Sequence, residues 1–152
     1  GRLYPCFSDE YVRAMRRLIR HADVICPNLT EAAILTGLPL DTAPRALLDR
    51  LEAPNVIITG VRSERGIGYL ARLNGEISEI NTPYVPLSHH GMGDVFASAL
   101  CGKLLSNPEH DMALALASAA DFCFACVRET VKRQPAHWYG LCFEDVLKRG
   151  AL

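Results

Sequence analysis

Apolar residues along this chain recur with two different periods, and the changes from one period to the other mark out its elements. Val12, Met15, Ile19 and Ala22 stand at helical spacing behind Ser8, with Asp9 and Glu10 leading and Arg16, Arg17, Arg20 and His21 closing the segment. Ser8 is a good cap and the charge order suits the helix dipole, so this stretch predicts a helix with one buried face. The apolar run Val24-Ile25-Cys26, stopped by Pro27, predicts a short buried strand. A helix from Leu29 to Thr36 follows and ends at Gly37, a natural C′ residue. Thr42 and Pro44 open another helix, with Leu47, Leu48 and Leu51 facing inward.

Asn55 to Thr59 reads as a β-branched strand ended by Gly60. The alternation from Ile67 to Ile80 reads as a hairpin, with Asn74-Gly75 supplying the positive φ angles of a type I′ turn. Helices are predicted near residues 94 to 105 and 110 to 132, separated by Ser106-Asn107-Pro108, and a short one near 143 to 149. Helices alternate with short strands early and dominate late. The pattern therefore predicts an α/β fold with a largely parallel central sheet flanked by helices. Two buried strands and one hairpin are few for such a sheet, which is expected to be incomplete.

Length and charge narrow the class. The 152 residues suffice for one domain with a core. Sixteen Lys and Arg against 17 Asp and Glu leave a formal net charge of −1, which gives no bulk attraction to nucleic acid or an anionic membrane. No apolar stretch approaches the ~18 residues of a membrane span, and the first thirty residues lack the pattern of a signal peptide. The six cysteines lie in apolar surroundings and read as reduced, buried thiols of a cytosolic protein.

Three short stretches carry candidate chemistry. Gly91, Met92, Gly93 and Asp94 stand directly before the helix that packs through Phe96, Leu100 and Leu104. Free N–H groups at a helix start, beside residues without side chains, can cradle an anion, and a neighbouring carboxylate can take a proton. The same residues also suit an ordinary tight turn and an acidic first turn. Asn28 and Glu31, three apart across a helix start, offer hard oxygens suited to Mg²⁺, and they equally suit a capping box. Thr59 and Gly60 lie at the end of a buried strand, the edge where ligands bind in parallel α/β sheets.

The three patterns occur in one order: strand–Pro–Asn28-x-x-Glu31, strand–Thr59-Gly60, and Gly91-x-Gly93-Asp94–helix. Together they resemble the vitamin kinases of the ribokinase-like superfamily, and among them the pyridoxal (pyridoxamine) kinases. Gly1-Arg2-Leu3-Tyr4, the stretch from Ala22 to Gly37 and the stretch from Tyr139 to Asp145 are similar to segments of those enzymes, so the likeness covers nearly all of the chain. It implies that residues 1–152 are the C-terminal, nucleotide-binding portion of a single ribokinase-like kinase domain whose N-terminal half is absent. It further implies ATP-dependent phosphorylation of the 5′-hydroxymethyl group of pyridoxal, pyridoxamine or pyridoxine.

By the same resemblance Asp94 is the base toward the substrate hydroxyl, and the amides of Gly91, Met92 and Gly93 form the anion hole. Asn28 and Glu31 lie by the Mg²⁺–phosphate cluster, with Glu31 acting on the metal through water. Thr59 and Gly60 border the nucleotide phosphates, and Val85 and Leu87 wall the adenine pocket. A monovalent cation, a homodimer and a cytoplasmic location belong to the same expectation. Met92 stands where the family commonly has threonine, so its N–H remains while a hydroxyl contact to phosphate is lost. Rival readings are another ribokinase-like kinase, acting on hydroxymethylpyrimidine or a sugar, and a non-catalytic module that serves only in assembly. The 152-residue chain alone is expected to show little or no kinase activity and to expose a sheet edge or apolar face.

Other groups read as structural. Cys123 and Cys126 have C-x-x-C spacing but lie mid-helix among Phe122 and Phe124, without a second ligand pair, and read as packed thiols. His89 and His90 are adjacent in a loop, where His90 could approach phosphate. His137 and Trp138 suit a lid or a surface anchor, and the arginines of the first helix suit a solvated face.

Overall fold

Ser8 starts the first helix as its residue type requires: its hydroxyl accepts the Tyr11 N–H at 3.3 Å, and α1 runs Asp9–Leu18 before a 3₁₀ turn at Ile19–His21. The computed structural model describes residues 8–86, 91–133 and 140–150. It divides into two units, Gly1–Ser63 with Ile67–Asn81, and Glu64–Gly66 with Thr82–Leu152. No described helix is long and apolar enough to cross a membrane.

In the first unit, β1 (Val24–Ile25) leads into α2 (Leu29–Thr36), which closes at Gly37 in the left-handed conformation with φ 75°. There the Leu38 N–H reaches back to the Ala33 carbonyl at 3.1 Å, the wrap a C′ glycine permits. α3 (Pro44–Arg50) begins with proline at its first turn, as predicted. β2 (Asn55–Ser63), β3 (Gly66–Leu73) and β4 (Glu76–Thr82) complete a four-stranded sheet in the order β1-β2-β3-β4. Asn74 and Gly75 both take positive φ, 51° and 88°, as a type I′ turn demands.

β1 pairs with β2 in parallel, Val24 opposite Asn55 and Ile25 opposite Val56. Residues 64–65 and 74–75 are too short to carry a crossover, so β2, β3 and β4 form an antiparallel meander. The fold class is α/β as expected, while parallel pairing among the described strands is confined to the β1 side. Val24 and Ile25 are half-buried instead of fully buried, because β1 is the edge strand of the described sheet. The apolar stripe of α1 is likewise only partly covered: Val12 and Met15 are half-buried, and Ile19 alone of the four reaches the core.

The core of this unit joins Ile19, Ala32, Ala33, Leu47, Leu48 and Leu51 from the helical side to Val56, Ile58 and Leu70 from the sheet. Burial of each large side chain contributes on the order of 1.5–3 kcal/mol. Arg72 of β3 closes α3 from a distance, donating to the carbonyls of Leu48 at 2.9 Å, Leu51 at 2.7 Å and Ala53 at 3.0 Å. Gly68 lies so close to β4 that a methyl group there would overlap the Ile80 carbonyl.

In the second unit, α4 (Met92–Ser106) packs against α5 (Met112–Arg133). The buried residues of α4 are Phe96, Ala99 and Leu100, and those of α5 are largely small, including Ala115, Ala119, Ala120, Cys123 and Cys126, a composition that suits close helix packing. Asp111 caps α5 through the amides of Ala113 and Leu114 at 2.9 and 3.1 Å. The buried Thr130 hydroxyl donates to the Cys126 carbonyl at 2.7 Å and accepts the Cys142 N–H at 2.9 Å, which ties the last segment to α5. α6 (Glu144–Lys148) is held by ion pairs: Glu129 with Lys132, Arg133 and Arg149, and Asp145 with Arg133 and Lys148.

Of the described thiols, Cys123, Cys126 and Cys142 are buried as expected, Cys26 is half-buried and Cys101 is exposed on α4. Burial, reinforced by the neighbouring Cys123 and Cys142, pushes the Cys126 thiol up to about 12.

Candidate active site

The first group of candidate residues is built where β1 gives way to α2. Pro27 cannot continue the strand ladder as a donor, but its carbonyl accepts the Thr59 N–H at 2.9 Å, and Asn28 forms a parallel bridge with Thr59. Asn28 and Thr59 are thereby fixed beside each other at the C-terminal end of the β1–β2 pair, the ligand-binding edge of an open parallel arrangement. Gly60, adjacent, has φ 73° and open space where a side chain would lie. It does not end the strand, as the sequence reading expects: β2 continues to Ser63. A left-handed residue within a strand breaks the alternation locally without ending the pairing.

Between the two readings offered for Asn28 and Glu31, the structure shows the capping box. Asn28 Oδ1 accepts the Glu31 N–H at 3.0 Å, and Glu31 Oε2 accepts the Asn28 N–H at 2.9 Å. Both residues are exposed. The box consumes one carboxylate oxygen and leaves Oε1 for another partner, so capping does not exclude metal. A single exposed carboxylate with neighbouring amide oxygen suits Mg²⁺, which keeps several waters and takes few protein ligands. No group of three His, Cys, Asp or Glu among the described residues is placed to enclose a metal. Cys26, next to Pro27, offers no nucleophile here, since burial pushes its thiol up to about 11.

The second group stands at the entrance of α4. Gly91 is the N-cap, left-handed at φ 84° and ψ 0°, and it supplies no side-chain cap. The first helical hydrogen bond runs from Val95 N–H to the Gly91 carbonyl at 3.0 Å, so the amides of Met92, Gly93 and Asp94 lie ahead of the ladder. α4 therefore starts two residues earlier than the predicted residue 94, and Met92 and Gly93 belong to its first turn. Among the described residues, nothing lies within 4 Å of the position a Cβ would take on Gly91 or Gly93. Gly91, Gly93 and Asp94 are exposed and Met92 is half-buried. Open amides, the positive end of the dipole and a carboxylate in the same turn make an entrance that can receive an anion and a proton together.

Asn28, Glu31, Thr59 and Gly60 thus share one edge of the first unit, and Gly91, Met92, Gly93 and Asp94 share one helix entrance of the second. Val85 is half-buried in the second unit. Leu87, His89, His90, His137 and Trp138 lie outside the described residues, as do Cys6 and the opening Gly1-Arg2-Leu3-Tyr4. The sequence reading missed the Pro27 carbonyl, whose bond to Thr59 joins two of its motifs. A proline ending a strand directly before Asn-x-x-Glu was the available signal.

Residues 4–140 match the phosphomethylpyrimidine kinase family. The pyridoxine kinase of Bacillus subtilis is 32% identical over 144 residues, covering 84% of this chain and 49% of that protein. Among solved structures, the pyridoxal kinase of Lactobacillus plantarum superposes with a TM-score of 0.85 at 33% identity, over 98% of this chain and 56% of that one. The pyridoxal kinase of Leishmania donovani in complex with ADP and pyridoxine gives a TM-score of 0.80 at 26% identity, over 98% and 54%. The chain spans about half the length of the curated relatives it matches. With a family match across nearly the whole chain and kinase structures superposing on its fold, this chain belongs to the phosphomethylpyrimidine kinase family.

Proposed function

We propose that the protein carrying this chain transfers the γ-phosphoryl group of ATP to the 5′-hydroxymethyl group of a B₆ vitamer: pyridoxal, pyridoxamine or pyridoxine. The observation that carries this reading is the entrance of α4, where uncapped amides and Asp94 share one exposed turn. Asp94 accepts the hydroxyl proton as the oxygen attacks. The amides of Gly91, Met92 and Gly93 meet the charge that gathers on the phosphoryl oxygens, which favours the transition state over the ground state. Asn28 and Glu31 stand by the metal, with Glu31 Oε1 holding Mg²⁺ through water. Bound there, Mg²⁺ neutralises phosphate charge. Thr59 and Gly60 border the nucleotide phosphates, Gly60 leaving room for their approach, and Val85 contributes to the wall of the base pocket. The structurally similar pyridoxal kinase of Leishmania donovani, in complex with ADP and pyridoxamine or pyridoxine, supports the substrate pair. A homodimer in the cytoplasm and a monovalent-cation requirement complete the reading.

In the intact protein Asp94→Asn should lower kcat by about 10²–10⁴-fold, the usual share of a general base. Steady-state assays with pyridoxal and ATP measure it. Near wild-type turnover in that variant removes Asp94 from the mechanism, and turnover of hydroxymethylpyrimidine or a sugar without any B₆ vitamer removes the substrate assignment.

A further inference from the structure

The peptide between Pro27 and Asn28 is hydrogen-bonded at both ends. Its carbonyl accepts the Thr59 N–H at 2.9 Å, and its N–H donates to Glu31 Oε2, also at 2.9 Å. A peptide bonded on both sides is polarised by each partner, and each bond strengthens the other. Thr59 of β2 and the Glu31 carboxylate are therefore joined through one rigid plane, although 28 positions separate them in sequence. Asn28 Oδ1 holds the Glu31 backbone from the other side of the helix start at 3.0 Å.

We propose that this peptide is a positioning device for magnesium: by holding Oε2 it fixes the Glu31 rotamer and leaves Oε1 as the oxygen that takes a magnesium-bound water. The inference rests on the reading of Glu31 as the metal-side carboxylate and adds how that carboxylate is aimed. An exposed glutamate without such a partner samples many rotamers and loses that freedom on binding. Here the freedom is already spent in forming the box. Asn28 is then a positioning residue, acting through its backbone N–H.

Substitutions at Asn28 separate the side chain from the N–H. Asn28→Ala removes the cap oxygen and keeps the donor, whereas Asn28→Pro removes both. The Asn28 φ of −77° already lies in the range of proline, so the ring fits the backbone. In the intact protein with ADP, magnesium chloride is titrated and followed by the shift in melting temperature, beside the magnesium dependence of phosphorylation. Asn28→Pro should raise the magnesium midpoint about tenfold or more above that of Asn28→Ala, the usual loss when the partner of a metal ligand is removed. Asn28→Ser, which keeps cap and donor, should lie nearer wild type than Asn28→Ala.

Equal midpoints for the alanine and proline variants overturn the positioning role. Where the proline variant does not fold, Glu31→Asp, which shortens the reach toward the Asn28 N–H by one methylene, takes its place, and a wild-type midpoint there overturns the proposal. Glu31→Gln separates the two levels. A wild-type magnesium response in that variant removes Glu31 from the metal altogether, and the positioning with it. A displaced midpoint in Glu31→Gln, with no difference between Asn28→Pro and Asn28→Ala, removes the positioning alone.

Discussion

At the start of α2 the chain caps its helix with its own side chains, and at the start of α4 no described side chain does so. Asn28 and Glu31 close α2 reciprocally, at 3.0 and 2.9 Å. Gly91 brings α4 no side chain, adopts φ 84° and is followed by a second glycine two residues on. A capped helix start is the stable arrangement, worth about 1 kcal/mol over an uncapped one. A cap and an exogenous anion compete for the same amides. The first entrance is therefore committed to the fold, and the second forgoes that stability and stays available to a ligand.

The contrast breaks most sharply at Gly93. Gly93→Ala should leave the helix as stable or more so by up to about 1 kcal/mol, since alanine is the better helix former. On the proposed mechanism it should nonetheless cut phosphorylation by at least about tenfold, because the new methyl would stand over the amides assigned there to the phosphoryl group. Denaturant melts and steady-state kinetics on one preparation test both signs. If stability and activity fall together, the glycine serves the fold and the contrast between the two entrances disappears.

At α2 the expected result is the reverse. Asn28→Ala should cost about 1 kcal/mol of stability by urea melts, as loss of a cap does. A cost near zero would mean the box is no more committed to the fold than the glycine entrance.

The smallest effect gives a pH control far along the chain from both entrances. Burial alone would raise the Glu129 carboxyl, but Arg149 and Lys132 outweigh it and hold the group below the usual carboxylate range. A depressed carboxyl contributes stability above its unfolded pKa and loses it as pH falls through the folded one. The melting-temperature gap between wild type and Glu129→Gln should therefore be open at neutral pH and close on acidification. A gap that persists unchanged in acid would show that the carboxylate charge is not what holds α6.

Much of this architecture is local chemistry and was legible in the chain. Ser8, Gly37, Pro44 and Asn74-Gly75 act through neighbours within a few residues, so their residue types forecast the turns and caps observed. Other features depend on partners far along the chain. Arg72 caps α3 from 21 residues away, and nothing near Leu51 announces it. Gly60 reads as a strand end because glycine usually breaks the alternation, yet pairing carries β2 past it to Ser63. The sequence places the α4 start late because the apolar face begins at Phe96, while the turn before it depends on the left-handed Gly91. For the candidate site, the types and order of residues were readable. The bond from Thr59 to Pro27 was not, since a backbone contact leaves no trace in residue identity.

Cys101 bears on how such experiments can be followed. Among the described thiols it alone is exposed, while Cys123, Cys126 and Cys142 are buried and burial pushes the half-buried Cys26 thiol up to about 11. Maleimide chemistry at neutral pH should select it over those four, since the thiolate is the reacting form and access decides the rest. It lies seven residues beyond Asp94, roughly 10 Å along the helix axis. A fluorophore attached there would report on the front of α4 during turnover from a native handle.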